Sequence, residues 1–185
     1  MSGVHKVVIA PFNYDGPETY QFKATGFKDE DTINGAIEFA TQAGLNKIKL
    51  LKGDFYIYDQ VKLNNLEIKG DDEVFIRSAG FSKHIFTSEK SFKLVGVHIC
   101  QQPMSELYIN GGDLNQEELS PYLEDKSFTR PTDLVLCSSY SVQEEARSSV
   151  YVTDANFVYI KNVTFLCARN KALNFKKTKK FYLKM

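Results

Sequence analysis

Hydrophobic positions in the first part of the chain fall into two rhythms. Across Asp31-Thr-Ile-Asn-Gly-Ala-Ile-Glu-Phe-Ala, the apolar Ile33, Ala36, Ile37 and Ala40 recur at i, i+3, i+4 and i+7, the stripe of an amphipathic helix. Gly44 supplies a C-terminal stop, and Asp29, Glu30 and Asp31 place negative charge at the positive end of the helix dipole. The rhythm then changes to strict alternation: Ile48/Leu50, Phe55/Ile57, Val61/Leu63, Leu66/Ile68 and Val74/Ile76. These strands follow one another too closely for crossover helices, and no Asn-Gly hairpin turn separates them. Upstream, Val7-Val-Ile-Ala predicts a strand, Asn13-Tyr-Asp-Gly-Pro a turn, and Tyr20 and Phe22 mark a second strand.

The alternation also repeats. Leu66-Glu-Ile-Lys-Gly70 is echoed by Phe92-Lys-Leu-Val-Gly96, Val158-Tyr-Ile-Lys-Asn162 and Phe181-Tyr-Leu-Lys-Met185, and the first three close on Gly or Asn, residues at ease in left-handed backbone. Leu66 to Phe92 is 26 residues, Phe92 to Val158 is 66, and Val158 to Phe181 is 23. Reading the middle interval as three turns of about 22 makes the spacing uniform at one solenoid turn. That rhythm, without a helix per repeat, predicts an all-β fold: a right-handed parallel β-helix with an N-terminal capping α-helix. An irregular β-sandwich is the alternative. The expected organisation is one domain over 1–185, with N-terminal strands in 1–28, the capping helix in 29–44 and coils in 46–100. A coil with a loop excursion occupies 101–149, and C-terminal coils fill 150–185. The final motif ends in mid-coil, which predicts further coils beyond Met185 or another subunit sealing that end.

Composition narrows the picture modestly. The 23 Lys and Arg balance the 23 Asp and Glu over 185 residues, so no global field favours nucleic acid. Fourteen Phe and ten Tyr with no Trp suit pleated surfaces. No apolar run reaches the length of a membrane span, and Met-Ser-Gly-Val-His-Lys lacks the apolar region of a signal peptide. Cys100, Cys137 and Cys167 each sit in an apolar run, where a cysteine is ordinarily a small buried hydrophobe. His98 and Cys100 make a His-x-Cys without a second ligand pair at zinc spacing, so no metal site is expected.

The run from the Asp-led helix through Gly44, then Ile48-Lys-Leu-Leu-Lys-Gly-Asp-Phe-Tyr-Ile57, Val61-Lys-Leu and Leu66-Glu-Ile-Lys-Gly70, resembles the start of the pectate-lyase-like β-helix superfamily. It is most similar to phage and prophage tail proteins of the tailspike type; Thr25-Gly-Phe-Lys-Asp-Glu-Asp stands where those place Gly-x-x-Asp-Glu. The resemblance covers about residues 20–76 and implies a tail component that engages host surface polysaccharide, non-catalytic by itself. Its implied setting is the virion or the extracellular space, and its implied assembly a homo-oligomer, a trimer. For a chain outside the phage world the cytoplasm is the expected place. A polysaccharide lyase or glycoside hydrolase with a site on the outer face, and a purely structural assembly segment, are the alternatives.

Enzymatic carbohydrate chemistry needs paired carboxylates, or carboxylates holding Ca²⁺ beside a base. The densest acids, Asp71, Asp72 and Glu73, lie at a coil corner; Asp113 opens an acidic segment that includes Glu117. No cofactor is expected, and Ca²⁺ is the one ion these acids would take. Tyr108, Asp113, Glu117, Tyr151 and Tyr159 are the ligand-binding candidates, because exposed tyrosine rings stack on sugars while acids take the hydroxyls. The tail is basic, with Arg169, Lys171, Lys176, Lys177, Lys179, Lys180 and Lys184, a pattern that guards a sheet edge.

Overall fold

The computed structural model describes residues 5–71, 73–78, 84–100, 148–166 and 171–184, with the backbone of three short strands inside 101–147. In chain order the elements are β1 (Val7–Ala10), β2 (Phe22–Lys23), α1 (Asp29–Gln42), β3 (Lys47–Leu50), β4 (Gly53–Ile57), β5 (Val61–Lys62), β6 (Leu66–Gly70), β7 (Val74–Ser78), β8 (His84–Ser88), β9 (Phe92–Val95) and β10 (His98–Cys100). After them come β11 (Leu107–Ile109), β12 (Gly112–Asp113), β13 (Val135–Leu136), β14 (Ser148–Thr153), β15 (Phe157–Lys161), β16 (Thr164–Leu166), β17 (Lys171–Lys176) and β18 (Lys180–Lys184). The described chain is mostly β, its larger sheets are parallel, and α1 is the one helix in it.

Those larger sheets run in the orders β18-β15-β9-β6-β3-β1-β2, β16-β10-β7-β4 and β17-β14-β8-β5. From β3 to β10 and again from β14 to β18, successive strands fall in the first, second and third of these sheets in rotation, whereas β1, β2 and β3 all belong to the first. Alternation then turns sequence pattern into columns. Leu66 pairs with Phe92, Phe92 with Val158 and Val158 with Phe181. A neighbouring column runs Val7, Ile48, Ile68, Leu94, Ile160, Leu183. Phe55, Ile76, Ile99 and Phe165 form one in the second sheet, and Val61, Phe86, Val150 and Leu173 one in the third. Residues from all these columns share one buried apolar cluster.

The repeated motifs therefore pair in register, but the interval between Phe92 and Val158 is a correction. β15 lies directly on β9, β16 on β10 and β14 on β8, so residues 101–147 add no strand between them. The 66-residue gap is one step with an insertion, not three turns. Within the insertion, β11 pairs antiparallel with both β12 and β13 in a sheet of their own. The helix expected in Glu117–Asp125 lies outside the described residues.

α1 closes one side of the core. Ile33, Ala36 and Ala40 are buried as the stripe requires, and Asp29 and Glu30, read from sequence as complements to the helix dipole, are buried too. Their task is hydrogen bonding. Asp29 Oδ1 accepts from the backbone N–H groups of Thr25 and Gly26, and Oδ2 from Tyr56. Glu30 Oε2 accepts from Tyr58 N–H, Asn34 Oδ1 accepts from Lys62 N–H, and Asn34 Nδ2 donates to Gln60 carbonyl. Three side chains on one helix face thus satisfy the backbone of 56–62, which includes strands at the edges of the second and third sheets. An edge strand presents a row of unpaired backbone groups, and α1 supplies the partners a further strand would.

The closing residues also need a refinement. Gly96 and Asn162 have positive φ, 67° and 52°, as expected. Gly70 does not; there a Cβ would stand 2.3 Å from the Gly96 carbonyl oxygen, so close backbone approach is what requires glycine.

Candidate functional site

The third sheet carries an open depression that bears a predicted site residue, Tyr151. Val61, Phe86, Val150 and Leu173 turn inward, and the residues that follow them, Lys62, Thr87, Tyr151 and Asn174, stand in one register row across β5, β8, β14 and β17. The Tyr151 ring lies flat against the imidazole of His84, centroids 4.4 Å apart and planes within 9°. Lys176 Nζ stands 5.5 Å from the Tyr151 centroid, within reach of its negative face. This stacked pair sits in an open depression of about 420 Å³ whose rim includes Lys62, Asn64, Thr87 and Glu89.

The rim is anchored at the turn after β5. Asn64 Oδ1 accepts from Glu89 N–H at 3.0 Å and from Ser88 Oγ at 3.1 Å, tying that turn to the one after β8. Ser88 is buried and its hydroxyl also contacts the Leu63 and Lys90 carbonyls. The result is a fixed aromatic platform beside hydroxyl, amide, ammonium and carboxylate groups. Such a surface suits a ring with one apolar face and polar edges.

The other predicted site residues do not gather here. Asp71 forms an ion pair with Lys49 at 3.1 Å, and Lys49 also holds Glu18 at 2.6 Å. Desolvation disfavours the charge on Lys49, but its hydrogen bonds to Glu18 and Asp71 win and hold its pKa above the ordinary lysine value. Glu73 turns to Lys52, whose hydrogen bond and charge hold that carboxyl below its ordinary range. The expected Asp71–Glu73 cluster is therefore split between two lysines, while Asp72 lies outside the described residues. Tyr108 and Asp113 are register partners on β11 and β12, on a different sheet from Tyr151. Glu117 lies outside the described residues, as do Cys137 and Cys167. Tyr159 projects from the outer face of the first sheet.

On the second sheet, His98 stacks on Phe75 at 4.8 Å, Arg77 lies over the same ring at 5.2 Å and pairs with Asp54 at 2.5 Å. Cys100 is half-buried there. Among the described residues no three His, Cys, Asp or Glu side chains stand close enough to hold a metal, and no helix is long and apolar enough to cross a membrane. No family model, curated protein or solved structure matches the chain.

Sequence reasoning reached Tyr151 but missed His84 and Lys176. The 66-residue offset of the first sheet sets residue 85 beside Tyr151, whereas its register partner is Thr87. Between register partners the stretch from β14 to β15 is two residues longer than that from β8 to β9, since Val152 to Val158 replaces Ser88 to Phe92. The true register leaves His84 three residues from the partner of Tyr151, so the stack is a tertiary feature that no offset between repeats discloses.

Proposed function

We propose that the chain is a right-handed parallel β-helix of the phage tail type that engages host surface polysaccharide through its outer wall and performs no chemistry of its own. Support for the architecture is the cyclic order in which successive strands enter three parallel sheets, with inward residues stacked in columns. The binding reading rests on one observation: the Tyr151–His84 stack, set in a depression rimmed by polar groups. The edges of the stacked rings offer a sugar an apolar surface, and the surrounding amide, hydroxyl and charged groups take its hydroxyls. A virion setting and an oligomer, a trimer in which a neighbouring subunit covers the exposed β18, belong to the same proposal. The lyase or hydrolase alternative has less support, because Asp71 and Glu73 are held by separate lysines instead of facing one another.

The test is a glycan array probed with the full chain and with Tyr151→Ala. Removing the ring is expected to reduce retention of the bound glycan about tenfold or more, with melting temperature within a few degrees of wild type. Equal retention by both proteins would refute the groove as the binding site. Release of reducing ends or of unsaturated sugar from the same glycans would refute the non-catalytic reading.

A further inference from the structure

The outer face of the first sheet has a different character from the groove. Its register rows read Lys47, Glu67, Lys93, Tyr159, Tyr182 and, beside it, Lys49, Lys69, Val95, Lys161, Lys184. Phe157 and Lys180 form the next row. Lys49 is neutralised by Glu18 and Asp71, and Lys93 stands 3.7 Å from Glu67. Among the described residues no ion pair forms at Lys69, Lys161, Lys180 or Lys184. A chain with equal numbers of acids and bases thus concentrates uncompensated lysines on one wall.

Edge protection accounts for part of this only. Lys180 and Lys184 belong to β18, which ends the sheet, but Lys69 and Lys161 lie on interior strands with a neighbour on both sides. Lysines directly opposite one another repel, as Lys161 and Lys184 must. Aromatic rings stand among these charges. Phe157 and Tyr159 are parallel within 7° at 6.4 Å, Tyr182 packs 5.6 Å from Phe157 and is 53% exposed. A shallow depression of about 280 Å³ between Lys47, Asn65, Lys93 and Phe157 adjoins them.

We infer that this wall is a second binding surface, for an extended polysaccharide that bears carboxylate or sulfate groups. Lys69 and Lys161 stand two strands apart with Val95 between them, and Lys184 follows one strand on. At about 4.8 Å per strand these steps are close to the advance of two sugar units and of one in an extended chain, and the rings receive its apolar faces. Duplex nucleic acid fits less well, because a flat wall has no helix or ribbon to enter a groove and strand phosphates recur at about 3.4 Å. The inference rests on the glycan reading only in preferring a sugar polymer to single-stranded nucleic acid.

The experiment is fluorescence anisotropy of labelled polygalacturonate with the full chain, with dextran and oligo-dT as unlabelled competitors. Binding is expected to weaken steeply between about 50 and about 200 mM salt. Dextran should not compete, and oligo-dT should compete more weakly than unlabelled polygalacturonate. Lys69→Gln with Lys161→Gln is expected to weaken binding about tenfold. Lys28→Gln with Lys52→Gln, an equal loss of charge off the wall, should leave affinity within about twofold. No binding, equal affinity of the wall variant in a protein that melts like wild type, dextran competition, or tighter oligo-dT binding would each overturn the inference. Failure here with Tyr151-dependent glycan retention intact removes the wall alone; the opposite pair of results removes the groove alone.

Discussion

Glu30 shows how a helix residue can be read correctly in sequence and misjudged in role. Its position in an acidic first turn predicts dipole complementarity, yet the carboxylate is buried and bonds Tyr58 N–H. Desolvation is the strongest influence on it and raises its pKa above 4.5, against the lowering effect of that hydrogen bond. A carboxyl whose folded pKa exceeds its unfolded value leaves the native state binding more protons, so its contribution to stability declines as pH rises through that window. Glu30→Gln keeps an acceptor for Tyr58 and removes the buried charge. In urea titrations it should match wild type at about pH 4 and be at least as stable at about pH 8. Glu30→Ala orphans the Tyr58 N–H and should cost about 1–2 kcal/mol at both. A Gln variant less stable than wild type at the higher pH would show that the carboxylate charge itself is needed. Asp29 next to it was equally legible as an acid and equally hidden as a clamp on Thr25, Gly26 and Tyr56, partners up to 27 residues away.

Among the elements, α1 and most of the parallel strands were visible in sequence, because period and length are local properties of the chain. The turns were legible by residue type and less so by cause. Gly70 and Gly96 both close a repeated motif, but one avoids a steric collision and the other adopts left-handed backbone. Gly70→Ala brings a methyl group against the Gly96 backbone carbonyl in the turn that follows the adjacent strand β9, where nothing flexible can yield. We expect a loss of about 2–4 kcal/mol in chemical denaturation, from forced separation of β6 and β9. A loss below about 0.5 kcal/mol would mean the two turns can part without cost. The separation of Asp71 from Glu73 belongs to this scale too: Glu73 has φ of 65°, and the two acids reach different lysines on either side of the corner.

For the whole molecule, direct pairing of β9 with β15 makes residues 101–147 an insertion between two strands that would otherwise be consecutive. Cys100 is the register partner of Arg77, and Ser148 of His84. Replacing 101–147 by a Gly/Ser linker the length of 78–83 should therefore keep the far-ultraviolet circular dichroism signature of the sheets and a cooperative melt. Non-cooperative melting would show that the insertion helps hold the core. The same variant separates the binding candidates, since glycan retention that survives it belongs to the Tyr151 groove or the lysine wall of the first sheet, and retention that disappears belongs to Tyr108, Asp113 or Glu117. By itself the sequence determined which residues turn inward, where the helix lies and which motifs are equivalent, since alternation and helical spacing are written within a few residues of one another. Only tertiary structure decided how many passes separate Phe92 from Val158, where Asp29 and Glu30 bond, and which rings and lysines share a wall. Those depend on register between strands distant in sequence, and two extra residues between one pair of strands are enough to change which residues stand side by side on the next sheet.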